Sequence, residues 1–238
     1  MSTFTTPPSL FRSFAACGRR IAAAGTMALL GIAIAGTAVA APATLSPQVE
    51  LEPGVVGAVH WTATSGETSS RSTVLEAVGN ADQFAAKGFE WTERSDSPCW
   101  AELRLAALAN TDGQYKRYAK CAKRVSSRKI VSRAGANEVI TGLQICLTDK
   151  KSSSQNRLKG VRLWGRTVDP ETAELGPING PSHAQRKHCA QWSRRVNCPA
   201  GEVATKFRIF GSKAMQGISL GCRAVGMRPA VTIATINP

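Results

Sequence analysis

Two stretches of the chain carry the same alternation of apolar and polar positions. Val203, Thr205, Phe207 and Ile209 alternate with other residues, and after the turn formers Gly211 to Lys213 a second alternating run takes in Ile218, Leu220 and Cys222. Period two on both sides of a turn predicts paired strands with one buried face. Upstream, Val139 to Ile145 (VITGLQI) aligns with Val203 to Ile209, and Leu158 to Leu163 (LKGVRL) aligns with Met215 to Leu220 (MQGISL). A weaker copy is Lys87 to Trp91 (KGFEW) followed by Ala101 to Leu105 (AELRL), with Cys99 and Trp100 in the turn. Three copies roughly 50 to 65 residues apart predict pseudo-threefold architecture. Any antiparallel β protein also yields hairpins of this kind, so the register of the copies decides between the two readings.

The other segments add little helix. Val55 to Thr62 is a first strand candidate, and Arg71 to Phe84 is the one stretch where Val74, Leu75 and Val78 suit a short helix. Thr148 to Gln155 is a polar loop. Arg166 to His188 reads as a long connection, with Asp169-Pro170, Gly176-Pro177 and Asn179-Gly180-Pro181 as turn formers. The class is therefore all-β.

Residues 1–40 hold Arg12, Arg19 and Arg20 ahead of an uncharged run, and Ala38-Val39-Ala40 forms a small-residue cleavage site. This pattern predicts a signal peptide over 1–40 and a secreted or periplasmic protein. An uncleaved transmembrane anchor is the rival reading, disfavoured because Ala and Gly dominate the run. An extended, Pro-bearing lead-in over 41–53 then precedes a single domain over 54–233. Cleavage leaves 198 residues, enough for one well-buried domain, and takes the formal charge from +14 to +11. An excess of that size favours anionic partners and says nothing of fold.

Cleavage also removes Cys17 and leaves six cysteines: Cys99, Cys121, Cys146, Cys189, Cys198 and Cys222. An even count in an exported chain predicts three disulfides. Cys198 with Cys222 would tie the start of one strand to the end of its neighbour. Cys99 with Cys121 and Cys146 with Cys189 are the preferred remaining pairs. No CxxC pair exists, so no metal or other cofactor is expected.

The densest charge lies in Tyr115 to Arg133, where Lys116, Arg117, Lys120, Lys123, Arg124, Arg128, Lys129 and Arg133 occur without an acid. It is the candidate polyanion-binding segment, with Tyr115 and Tyr118 interleaved for stacking. A solvated basic edge that discourages strand pairing is the plainer reading, and spacing alone leaves helix and strand both open. Glu90, Glu93, Asp96 and Glu102 form an acidic cluster beside Trp91 and Trp100. Paired carboxylates next to an aromatic suit glycoside hydrolysis, but alternation would place Glu90 and Glu102 on solvent faces, and no nucleophile elbow, phosphate loop or HExxH accompanies them. The five tryptophans are expected as packing anchors.

Trp192, the Cys198-Pro199-Ala200-Gly201 turn, the strand to Ile209 and Gly217-Ile218-Ser219-Leu220-Gly221-Cys222 together resemble the vitelline membrane outer layer family. The middle copy joins the resemblance through Thr141 to Ile145 and Leu158 to Leu163, so the match lies mainly over residues 139–225, as in a bacterial-type secreted relative. The resemblance implies a disulfide-linked β-prism of three pseudo-threefold-related antiparallel sheets. The family's acidic loop before the closing strand is replaced here by Gln155-Asn156-Arg157-Leu158-Lys159 and Lys213-Ala214-Met215-Gln216, so an activity resting on those acids is not expected. The expected function is that of an exported, non-enzymatic binding or matrix/envelope protein, whose partner is an acidic polysaccharide or another anionic surface. No specific nucleic-acid partner is expected. The alternative is a glycan-active enzyme or a cationic membrane-active protein of antimicrobial type.

Overall fold

The computed structural model describes residues 50–79, 83–94, 97–108, 113–120, 130–133 (backbone alone), 138–148, 156–212 and 214–230. The expected signal peptide, the lead-in up to residue 49, and Asp96, Cys121, Lys123, Arg124, Arg128 and Lys129 lie outside the described residues.

Three antiparallel sheets account for the strands. The first is built on β1 (Leu51–Trp61), β2 (Ser65–Gly66), β3 (Ser72–Leu75), β14 (Glu202–Phe210) and β15 (Gly217–Pro229), in the order β1-β15-β14-β3 with β2 also on β15. The second runs β6-β5-β4-β7, from β4 (Phe84–Arg94), β5 (Ser97–Ala107), β6 (Gly113–Ala119) and β7 (Ile130–Arg133). The third holds β8 (Glu138–Leu147), β9 (Leu158–Val168), β10 (Leu175–Ile178), β11 (Ser182–Gln185), β12 (Gln191–Trp192) and β13 (Val196–Asn197), with β10 and β11 on β9 and β12 and β13 on β8. At the centre of each sheet lies one of the three aligned hairpins, β4–β5, β8–β9 or β14–β15. The protein is thus an all-β, disulfide-linked β-prism with pseudo-threefold symmetry.

The register makes the symmetry explicit. Each central hairpin slips by one residue at the same place: between Ala86 and Gly88, between Ile140 and Gly142, and between Ala204 and Lys206. Lys87, Thr141 and Thr205 are the extra residues, all buried. A bulge re-aims the side chains that follow it. On one side of it Phe89, Leu143 and Phe207 face a shared interior, and beyond it Ala86, Ile140 and Ala204 continue that interior. Ala85, Val139 and Val203 turn instead to a second cluster with Val55 and Leu108. Phe89 and Phe207 meet across the main core with ring centroids 5.4 Å apart.

The far end of the core is closed by backbone hydrogen bonds between equivalent residues. Leu158 N–H donates to Met215 O at 2.8 Å, and Met215 N–H donates to Pro98 O at 3.0 Å. Pro98 has no N–H with which to complete the ring. Close by, between the second and third sheets, Glu93 holds two cations, Lys159 Nζ at 2.8 Å and Arg186 Nε at 2.6 Å, and Lys159 is fully buried. Such pairing offsets part of the cost of taking these groups out of water.

Several expectations need correction. Arg71 to Phe84 contains β3 rather than a helix, because Leu75 and Val74 pair with Phe207 and Arg208 and tertiary pairing overrides local preference. The connection Arg166 to His188 contains the end of β9 and two further strands, which fold back onto β9 after the Asp169-Pro170 and Asn179 to Pro181 turns. β1 begins at Leu51, inside the segment read as lead-in. In the basic segment, where spacing leaves helix and strand both open, Tyr115 to Ala119 is strand. Cys146 is bonded to Cys189 and Cys198 to Cys222, the pairs preferred from sequence. Cys99 is also disulfide-bonded, and Cys121 lies outside the described residues.

Two outcomes follow from this core. Phe207→Ala, at a fully buried position, should cost about 3–5 kcal/mol, read by urea unfolding. Lys87, whose Nζ donates to Leu108 O at 3.0 Å, is held down to about 8 from 10.5, first by burial and then by Arg104. The unfolded chain therefore binds the extra proton between those values, so stability should rise with pH across that window and carry the full penalty below it. Lys87→Met should flatten the slope and stabilise the neutral protein by about 1–2 kcal/mol, measured by unfolding at both ends of the window.

Candidate functional site

A groove of about 340 Å³ opens between the end of β1 and the segment that carries β13, lined among others by His60, Trp61, Arg194, Arg195, Asn197 and Pro199. Its two walls come from different sheets. On one side, β1 places His60 opposite Cys222 and Trp61 opposite Gly221 of β15. On the other, β13 places Val196 and Asn197 opposite Leu143 and Gly142 of β8. The Cys198–Cys222 disulfide joins them, since Cys222 lies beside His60 and Cys198 sits between Asn197 and Pro199.

Hydrogen bonds fix the loop that carries the arginines. Ser65 Oγ donates to Arg194 O at 2.9 Å, and Ile145 N–H donates to Ser65 Oγ at 3.1 Å. Ser193 N–H donates to Ile145 O at 2.9 Å. Gly142 leaves room here for the Asn197 side chain: a Cβ at that position would lie 2.6 Å from Asn197 Oδ1 and displace that amide.

Three arginines stack on three tryptophans nearby. Arg208 lies 4.0 Å over the ring of Trp61, Arg195 lies 4.0 Å over Trp164, and Arg162 lies 3.9 Å over Trp192. Such contacts immobilise both partners and leave the guanidinium charge in place. Arg195 Nε also donates to Asn197 Oδ1 at 2.6 Å, and partial burial pulls its guanidinium below the ordinary value. Arg194 is exposed. The expectation that Trp164 and Trp192 serve packing therefore describes half of their role, since each also carries a cation.

Behind the groove, Glu202 on β14 accepts from His60 Nδ1 at 2.6 Å. Glu202 is buried, whereas the His60 side chain is 62% exposed. The second oxygen of Glu202, Oε2, is buried without a partner among the described residues. The turn through Gly201, with φ of 76°, reverses the chain so that Pro199 forms groove wall while Glu202 lies beneath His60. A carboxylate accepts, so Nδ1 carries the proton and Nε2 is the ring's remaining polar atom.

The basic segment is only partly brought together. Lys116, Arg117 and Lys120 lie on or beside β6, on both of its faces, and Arg117 is ion-paired with the buried Glu102. That pairing holds the Arg117 guanidinium above its ordinary value. Lys120 Nζ sits 5.8 Å over Tyr118. Arg133 is placed on β7 opposite Gly88, and the other four cations lie outside the described residues. Tyr118 is 2% exposed and packs in the core, so it cannot stack on a ligand, and burial pushes its hydroxyl up. Tyr115 alone of the pair is exposed.

The acidic cluster also departs from expectation. Glu102 is buried rather than open to solvent, because the cross-strand side chains of Arg117 on β6 and Glu90 on β4 flank it and Arg117 is ion-paired with it. The crevice shared by Glu90, Glu102, Arg104 and Tyr115 measures about 10 Å³, room for one water at most. No sugar ring fits between those carboxylates. Among the described residues no group of three metal-ligating side chains occurs, and no helix is long and apolar enough to cross a membrane.

The groove residues were not singled out from sequence, although the run Trp192-Ser193-Arg194-Arg195 ahead of the Cys-Pro-Ala-Gly turn offered a signal: two adjacent cations beside a rigid turn. His60 and Trp61 gave none, because their partners lie far along the chain.

No family model matches the chain, and no curated protein matches it by sequence. Among solved structures, Calystegia sepium agglutinin is similar at TM-score 0.44 and 10% identity, over 74% of this chain and 99% of that one. A mannose-specific jacalin-related lectin from Morus nigra is similar at TM-score 0.44 and 5% identity, over 71% and 96%. Artocarpin, a lectin with mannose specificity, is similar at TM-score 0.44 and 6% identity, over 70% and 99%. The prism assignment rests on the strand pairing itself, and these distant likenesses add nothing about a ligand.

Proposed function

We propose that the protein is an exported, non-enzymatic binding or matrix/envelope protein that engages an acidic polysaccharide or another anionic surface through the groove beside Trp61. One observation carries this reading: an aromatic ring, two arginines, a histidine and an asparagine line one concave surface to which no carboxylate among the described residues contributes. Carbohydrate offers ring faces for the tryptophan and hydroxyls for the polar groups. An anionic sugar adds a charge for the arginines. The positive formal charge of the chain raises the local concentration of such a ligand. The resemblance to vitelline membrane outer layer proteins agrees with a secreted coat or matrix role. Lys116 and Lys120 beside β6 form an accessory basic surface.

A glycan-active enzyme is the second reading, favoured by the His60–Glu202 pair, because a carboxylate-oriented imidazole is a common acid–base device. Polymer length separates the two: binding without loss of chain length supports the first.

The test is a glycan and lipid array probed with the mature protein, followed by calorimetry. Trp61→Ala should weaken glycan binding by about 2 kcal/mol, a factor of roughly 30, while thermal unfolding remains cooperative. Retained affinity in that variant would remove the groove from the function.

A further inference from the structure

We propose that the groove is selective for uronate-type saccharides, units that carry a carboxylate and a neighbouring hydroxyl, and that the buried Glu202 sets this selectivity by positioning His60. The inference rests on the binding reading above and narrows its ligand.

The groove's cations are not equivalent. Arg195 is committed to the Trp164 ring and to Asn197, so its guanidinium serves as wall. Arg194 is exposed, and its loop is anchored through its backbone carbonyl to Ser65, which leaves the side chain as the groove's carboxylate receptor. A guanidinium takes a planar carboxylate in a fork of two hydrogen bonds. It has no such match to a neutral ring.

His60 supplies the second contact. Glu202 Oε1 accepts the Nδ1 proton at 2.6 Å, which fixes the ring's orientation and presents Nε2 as an acceptor for a hydroxyl proton. Burial of Glu202, with Oε2 unpartnered among the described residues, is costly, and the hydrogen bond from His60 to Oε1 offsets part of that cost. A surface that merely attracted negative charge would need neither an oriented imidazole nor a buried carboxylate beneath it. A carboxylate on Arg194 and a hydroxyl on His60 define a sugar acid. A sulfate or phosphate is a tetrahedral oxyanion that also accepts from a guanidinium, so a sulfated polymer and a phosphate headgroup are the controls that separate planar-carboxylate recognition from charge alone.

The experiment uses the mature full chain and four probes: an oligouronate, its methyl ester, sulfated dextran of matched charge, and vesicles containing anionic phospholipid. The oligouronate should bind at least tenfold more tightly than the ester, with a component that survives high salt, whereas attraction of exposed charges to dextran sulfate and vesicles fades with screening. Arg194→Gln should erase the difference between acid and ester. Glu202→Gln should weaken oligouronate binding severalfold and change the ¹⁵N imidazole shifts of His60, while retention on sulfated dextran stays as it was. His60→Gln, at an exposed position, repeats the affinity test without burdening the core. Equal affinity for all four probes, with neither His60→Gln nor Glu202→Gln altering preference, overturns the inference and leaves general polyanion binding standing. If the wild-type protein binds no saccharide, the binding reading itself falls, and the inference with it.

Discussion

Packing three hairpins around one interior forces each to change face at the same level, and the shared bulge at Lys87, Thr141 and Thr205 meets that constraint. Without it, strict alternation would carry Ala86, Ile140 and Ala204 away from the core that Phe89, Leu143 and Phe207 begin. The extra residue in each strand is polar and buried, so it must find a partner. Thr205 Oγ1 donates to Gly221 O at 3.1 Å, and Lys87 Nζ donates to Leu108 O. The same solution with a lysine in place of a threonine buries an ammonium, whose ordinary charged state is then disfavoured.

The bulge also sets where the outer strands run. Trp61 meets Gly221, and Trp164 and Asn197 meet around Gly142, each one residue beyond a bulge. The groove forms where the edge of the first sheet faces the short outer strand of the third, and the Cys198–Cys222 bond joins the two sides. Trp61 on one wall carries the stacked Arg208, and Arg195 on the other is itself stacked on Trp164. Side chains held in this way have little conformational freedom left to lose, the condition under which a modest contact area suffices for binding.

The sequence made the interior legible and the site much less so. VITGLQI, VATKFRI and the fainter KGFEW align because the core demands an apolar residue at each equivalent level, and the observed registers match that alignment. Short outer strands such as Leu175–Ile178, Ser182–Gln185 and Val196–Asn197 have too few residues to show a period. Ser72–Leu75 is a strand only because β14 offers it a ladder. Tyr118 and Glu102 were assigned to the surface by local pattern; Tyr118 instead joins the core and Glu102 is covered by its cross-strand partner Arg117, and both follow from the β5–β6 register, which alternation alone does not specify. Trp61 and Arg194 become neighbours only through closure of the prism.

Pseudo-symmetry further explains why one groove is chemically distinct. The interior positions must stay alike in all three sheets, whereas the outer faces are free to diverge. At one outer level the paired residues are Arg208 and Ser219 in the first sheet, Gln144 and Arg162 in the third, and Glu90 and Glu102 in the second. The first and third therefore carry cations stacked on tryptophan, and the second carries carboxylates, one of them neutralised by Arg117. At this level the first and third sheets share a chemistry that the second does not, although the interior residues beneath all three are equivalent. The groove lies between the two sheets that share it, walled by Trp61 of the first and by the Arg194-Arg195 segment that leads into β13 of the third.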